Sequence, residues 1–103
     1  MAYAMTGSKI RIHVDPDLRD FMPKYVQNRF ADLNRLGDFL RSSDLKSIQA
    51  ICHKIRGHAT SYGMAPLGEI CKQMEIAAQN GEKENVSTLL SQFKNYLDCV
   101  ELP

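Results

Sequence analysis

The sequence lacks any apolar run near the roughly 20 residues that a membrane-spanning helix needs. Residues 1–8 also lack a basic region followed by an apolar one, so a secretory signal is not predicted. Neither charge is in excess, because 13 basic and 12 acidic side chains give a formal net charge of +1. We therefore expect a cytoplasmic protein that binds neither a membrane nor nucleic acid.

Cysteine is scarce as well. Cys52, Cys71 and Cys99 are odd in number, widely spaced and set in apolar helical patterns, which favours reduced thiols over a disulfide framework. A zinc site built from Cys52, His53 and His58 is an alternative, but the two histidines are five positions apart and diverge by about 140° around a helix. We expect no metal and no cofactor. A phosphate-binding loop of the G-x-x-x-x-G-K type is missing too, so the sequence does not predict the use of ATP.

The sequence does contain several amphipathic helical patterns. Lys9 to Val14 alternates polar with β-branched residues, and with no second strand to pair, this segment is expected to lie along the domain. Asp15-Pro16-Asp17 is a helix-start signal for a short helix that ends near Met22. Four longer apolar patterns follow, each at helical spacing. They cover Pro23 to about Ser42, about Leu45 to Tyr62, Ala65 to about Asn80, and a last helix that includes Val86 to Val100.

These patterns predict the fold class. A chain of 103 residues with 44% hydrophobic content fits a single domain. Because the connections are short, neighbouring helices must run antiparallel. The prediction is an all-α, antiparallel up-down-up-down four-helix bundle with a short additional N-terminal helix. We expect an N-terminal tail or extended segment over residues 1–14, the bundle over residues 15–103, and a monomer.

The second long helix carries the most informative residues. Arg56 and Gly57 fall three and four positions after His53 and therefore lie beside it on one face. The apolar residues of the same helix cluster on the other side, which is the stripe that such a helix buries. They are Ile48, Ile51, Cys52, Ile55, Ala59 and Tyr62. An exposed imidazole with a cation and a bare backbone beside it is suited to receive an anion, such as a phosphoryl group, from a large partner.

This pattern resembles that of the histidine-containing phosphotransfer (HPt) domains. The motif of that family is matched by His53, Ile55, Arg56, Gly57, Ala59 and Gly63. The spacing of the next helix and its end is matched by Cys71, Glu75, Ala77, Ala78 and Gly81, so the resemblance covers about residues 15–100. Two positions depart from the family pattern: Arg56 replaces the usual lysine, and His58 is bulkier than the residue usual there.

The resemblance implies a phosphorelay intermediate that is not itself an enzyme. His53 would accept a phosphoryl group from a receiver-domain aspartate and pass it to another receiver domain. The partner would be a response regulator, a hybrid sensor histidine kinase, or both. Arg56 would neutralise the phosphoryl charge, and Glu75 occupies the position from which several members orient the histidine; it could instead pair with Lys72. The alternative is a binding module that docks a receiver or kinase without accepting phosphate.

Helical geometry also predicts a docking surface around His53. Because Gly57 shares the polar face with His53, we expect it to provide clearance for the partner; close packing of two helices is the alternative explanation of a glycine there. The other residues expected at this surface are Gln49, Ala50, Thr60, Met64, Lys72 and Gln79. Met64 also fits a core position. His13 and His58 are expected to be ordinary solvated side chains.

Overall fold

A computed structural model of the chain describes residues 9–103, which contain four α-helices. They are α1 (Met22–Arg41), α2 (Leu45–His58), α3 (Ala65–Gln79) and α4 (Lys83–Cys99). Helices α1 and α3 each pack against both α2 and α4, so the four apolar stripes close around one core. The predicted all-α four-helix bundle is confirmed. Within residues 9–103, none of the helices has the length and apolarity that crossing a bilayer requires.

The predicted short helix before the bundle is a 3₁₀ helix over Pro16–Phe21. Asp15 caps it, since its carboxylate accepts a hydrogen bond of 2.9 Å from the backbone N–H of Asp17. The next residue, Met22, begins α1, and Pro23 stands in its first turn, where a missing N–H costs nothing.

The core follows the predicted helical stripes. Helix α2 buries Ile48, Ile51, Cys52 and Ile55, and α4 buries Val86, Leu89, Phe93, Tyr96 and Leu97. Helix α3 contributes the largest set, which includes both small and large side chains: Leu67, Gly68, Ile70, Cys71, Met74, Ala77 and Ala78. The expectation of a buried thiol is met by Cys52 and Cys71, whereas Cys99 is half-buried. A hydrogen bond with Cys52 and burial raise the pKa of the Cys71 thiol, which keeps it unreactive.

Side-chain and backbone signals fix both ends of α2. At its start, the Asp44 carboxylate accepts hydrogen bonds from the Ser47 backbone N–H at 3.1 Å and the Ser47 hydroxyl at 2.7 Å, and these bonds lower the pKa of Asp44. The α-helix ends at His58, before the predicted Tyr62, because Thr60–Tyr62 tightens into a 3₁₀ turn. Gly63 then takes a φ of +74°, and a Cβ at this position would lie 2.4 Å from the His13 carbonyl oxygen.

The segment before residue 15 pairs with the end of the chain, so the expectation that it lies unpaired is wrong. Strand β1 (Ile10–Arg11) runs parallel to β2 (Val100–Glu101), which follows α4 directly. The backbone N–H of Ile12 donates to the Glu101 carbonyl at 3.0 Å, and the Ile12 side chain is buried in the core. The second strand was missed because two residues at a helix end carry no alternating pattern. Residues 1–8 of the predicted tail lie outside the described residues.

Candidate functional site

His53 stands on the solvent side of α2, and 65% of its side chain is exposed. The buried stripe of α2, which includes Cys52 and Ile55, lies on the other side of the helix, so packing of this stripe determines that His53 points outward. Its Nδ1 atom lies 3.1 Å from Oε2 of Glu75, which stands on the neighbouring helix α3. The imidazole is therefore exposed but held in one orientation.

The contact with Glu75 determines which ring nitrogen is available. An ionised carboxylate can only accept a hydrogen bond, so Nδ1 of His53 carries the proton. In the neutral imidazole the other nitrogen, Nε2, then has a lone pair and no proton. The site thus offers a neutral nitrogen nucleophile to solvent.

Arg56 shares the same carboxylate. Its Nε atom lies 3.3 Å from Oε1 of Glu75 as an ion pair, although no donor among residues 9–103 is aligned for a hydrogen bond to this oxygen. Glu75 is only 21% exposed, so it lies beneath the two more exposed side chains of His53 and Arg56. The alternative partner, Lys72, forms no ion pair with Glu75. One carboxylate thus links the imidazole to the guanidinium.

Two glycines near the site have different roles. A Cβ added at Gly57 would meet nothing within 4 Å, so close packing of helices does not explain this glycine. A Cβ at Gly68 of α3 would lie 3.6 Å from the Ala59 Cβ and 3.8 Å from the Thr60 hydroxyl. Gly68, which was not predicted as a contact residue, lies where α3 closely approaches the residues that follow α2, whereas the missing side chain at Gly57 leaves the surface beside His53 unobstructed.

Most residues of the predicted docking surface line two depressions, one of which contains His53 and the other Gly57. Gln49 and Ala50 line a depression of about 530 Å³ together with His53 and Glu75. Thr60 and Lys72 line another of about 490 Å³ together with Arg56 and Gly57. Gln79 is exposed one helical turn after Glu75 and lines neither depression.

Met64 does not belong to this surface, and its prediction as a docking residue is wrong. Its side chain is 0% exposed and belongs to the core, in agreement with the other position considered for it. It immediately precedes α3, where its carbonyl accepts from the Leu67 and Gly68 backbone N–H groups. Met64 lies in the connection between α2 and α3, where no helical spacing determines the direction of a side chain. Helical geometry therefore predicted the wrong side for it.

The sequence analysis missed one exposed apolar residue near the site. Ile76 of α3, which directly follows Glu75, is 42% exposed. Ile76 lies on α3 opposite the buried stripe that contains Leu67, Met74 and Ala77. In the sequence it is an apolar residue that does not fit the helical spacing of that stripe. Its exposure leaves apolar surface at the position that follows Glu75 in α3.

His58 is not a solvated side chain as expected. It is half-buried, and its Nδ1 atom lies 2.7 Å from the hydroxyl of Tyr25 on α1. Burial lowers the pKa of the imidazole, and the Arg29 guanidinium lowers it further. His13 is exposed, as expected.

The arrangement does not fit the zinc site considered above. Cys52 is buried, His53 is exposed, and His58 is bonded to Tyr25. Across residues 9–103, no group of three or more histidine, cysteine, aspartate or glutamate side chains is arranged to hold a metal ion.

The chain matches the family model described as Hpt domain over residues 20–101, which confirms the resemblance that the His53 motif indicated. No curated protein and no solved structure gives a significant match. The matched region contains all four helices together with His53, Arg56 and Glu75. The chain therefore belongs to the Hpt domain family, whose members carry phosphoryl groups in two-component signalling and interact with the receiver domains of response regulators.

Proposed function

We propose that the chain accepts a phosphoryl group on Nε2 of His53 from the aspartyl phosphate of one receiver domain and passes it to another. The observation that carries this proposal is the contact between His53 Nδ1 and Glu75, in an imidazole whose side chain is 65% exposed. It leaves the nucleophilic nitrogen unprotonated and accessible to a partner protein.

The proposed transfer needs no separate base. The Nε2 lone pair attacks phosphorus, the nitrogen–phosphorus bond forms, and the phosphorus–oxygen bond to the aspartate breaks, so that the aspartate leaves as a carboxylate. Because Nε2 carries no proton, none has to be removed from the attacking atom. The ring becomes an imidazolium that keeps its Nδ1 proton, and the Glu75 carboxylate stabilises this positive charge.

Arg56 acts on the phosphoryl group itself in this proposal. Its guanidinium is paired with Glu75 while His53 is unmodified, and it is partly exposed. A planar fork of donors can bind phosphoryl oxygens as well as carboxylate oxygens. On phosphorylation, the Arg56 side chain would turn from Glu75 toward the phosphoryl group, one helical turn from His53.

The proposal is tested by a transfer time course. A panel of purified receiver domains is phosphorylated with radiolabelled acetyl phosphate and mixed with the chain. We expect label on the chain that is lost in acid and stable in base, and that moves on to a second receiver. Unlabelled chain that still binds the receivers would support the phosphorylation-independent binding module instead, and absence of both label and binding would contradict both functions.

Replacing Glu75 separates its orienting role from its charge. Glu75→Gln keeps an oxygen that can accept from His53 Nδ1 but removes the negative charge that stabilises the imidazolium, so we expect the tautomer to persist and the transfer rate to fall by about fivefold. Glu75→Ala removes both the acceptor and the charge and should lower the rate by about 25-fold, a further loss of about fivefold for one ordinary hydrogen bond. The ¹⁵N chemical shifts of His53 should show loss of the single tautomer only in the alanine variant. An alanine variant with the original rate and tautomer would exclude the orienting role.

A further inference from the structure

A second feature borders the His53 surface, between α1 and α2. It is a groove of about 280 Å³, and we call it the basic groove. The titratable residues that line it are Arg29, Asp32, Arg35, Lys54 and His58. The phosphoryl-transfer proposal gives none of these residues a role.

The floor of the basic groove contains an ion pair, so its charges are balanced. Arg29 Nε donates to Asp32 Oδ2 at 3.0 Å, and only 11% and 15% of the two side chains are exposed. The Arg29 guanidinium also lies 4.4 Å from the centre of the Tyr25 ring, whose hydroxyl contacts His58 Nδ1. Burial raises the pKa of Tyr25 and lowers that of His58, so the contact joins a neutral phenol and a neutral imidazole.

The rim of the basic groove has an excess of positive charge. Arg35 is 61% exposed, and its Nη1 atom lies 3.8 Å from Asp32, which is already engaged by Arg29. Lys54 is exposed and forms no ion pair with any of the residues 9–103. Three permanent cations thus face one carboxylate. In a chain whose formal net charge is only +1, this is a local concentration of charge.

The excess of positive charge in the basic groove is not shared by a second groove of the molecule. A groove of similar size, about 320 Å³, lies between α1 and α4 and contains Arg41 and Lys94. There each cation has its own carboxylate, because Arg41 pairs with Asp38 and Lys94 Nζ lies 2.7 Å from Asp98. In the basic groove, Asp32 is engaged by Arg29, so Lys54 and the more distant Arg35 are left for an external anion.

The basic groove is also continuous with the surface around His53. Ala50 and Lys54 line both the basic groove and the depression that contains His53 and Glu75. A protein large enough to bring a phosphoryl group to Nε2 therefore extends over Lys54 and toward Arg35.

We propose that the basic groove binds an acidic segment of the partner protein while the partner's phosphoryl group meets His53. This inference rests on the proposed function and names the chemistry of the partner surface. Because Arg35 and Lys54 are exposed, they act on the rate of encounter and on affinity, whereas the chemical step at His53 is unaffected. Such contributions weaken when salt screens the charges.

The test uses two matched double variants of the full chain. Arg35→Gln with Lys54→Gln neutralises the rim of the basic groove. Arg41→Gln with Lys94→Gln makes the same change of charge in the groove between α1 and α4. The donor is the receiver domain, phosphorylated with acetyl phosphate, that transfers fastest to the original chain. At an ionic strength of about 0.03 M, we expect kcat/KM to fall about tenfold in the first variant only, with kcat unchanged. At about 0.5 M the difference should disappear.

Two results would overturn the inference about the groove. One is the same kcat/KM in both double variants at low ionic strength. The other is a fall in the kcat of the Arg35→Gln, Lys54→Gln variant that persists at high ionic strength. Labelling by phosphoramidate, a small phosphoryl donor that needs no docking, separates this inference from the proposed function. Equal labelling of His53 in the original chain and in both double variants would support the proposed function, whether or not the basic groove binds the partner. Failure of the original chain to be labelled by either donor would contradict the proposed function itself.

Discussion

Replacing His53 by glutamine is expected to abolish transfer from a phosphorylated receiver domain, with a loss of at least about 10³-fold in rate. Glutamine has no nucleophilic lone pair on nitrogen, because its amide nitrogen is delocalised into the carbonyl. The side chain is 65% exposed, so the change leaves the core and the fold intact. The measurement is the acid-labile label on the chain after mixing with the radiolabelled receiver.

The same experiment has a matched control in His13→Gln. His13 is also exposed, but it belongs to the segment before the bundle and not to α2. This variant should be labelled at the original rate. If His53→Gln is labelled as fast as His13→Gln, another residue accepts the phosphoryl group. Binding of His53→Gln to the receiver should persist, because the proposed docking surface is otherwise unchanged.

Replacing Gly57 by glutamine is expected to slow transfer by about 100-fold without unfolding the chain. A Cβ at Gly57 meets nothing within 4 Å, so the longer side chain has room in the isolated protein. Stability should even rise by about 0.5–1 kcal/mol, since glycine is a poor helix former. The added side chain would, however, occupy the space through which a partner approaches Nε2 of His53.

Gly37→Gln is the control for this second prediction. Gly37 lies on α1 beside Arg41, and an added Cβ would make only an ordinary contact of 3.6 Å with the Arg41 side chain. Transfer time courses and thermal unfolding of both variants provide the comparison. Slow transfer in Gly57→Gln alone supports the clearance role. Equal rates in the two variants would mean that the partner does not pass over Gly57.

The bundle could be predicted from the sequence because its signals are local. Each long helix has an apolar stripe at helical spacing, and each connection contains its own stop or start residue. Asp44 caps the start of α2, and Gly63 takes the left-handed conformation that ends the 3₁₀ turn after α2. The exposure of His53 follows from the same periodicity, since the burial of Cys52 and Ile55 leaves it facing solvent.

The features that sequence analysis missed depend on contacts between distant residues. His58 is half-buried because Tyr25, 33 positions earlier, reaches it from α1. The pairing of β1 with β2 joins residues about 90 positions apart and has no local pattern. The basic groove likewise combines Arg35 of α1 with Lys54 of α2. Helical periodicity predicts which face of each helix is buried. The rotation of one helix relative to the next determines which side chains of the two helices come into contact.

In the proposed phosphorylated state, Nε2 of His53 carries the phosphoryl group, and Nδ1 keeps its proton and donates it in a hydrogen bond to Glu75. The most direct measurement is a long-range ¹H–¹⁵N NMR spectrum of the ¹⁵N-labelled chain after transfer from the receiver. We predict that phosphorus coupling is found on Nε2 of His53 and that the Nδ1 proton is retained. Phosphorus on Nδ1, or on His13 or His58, would contradict the account.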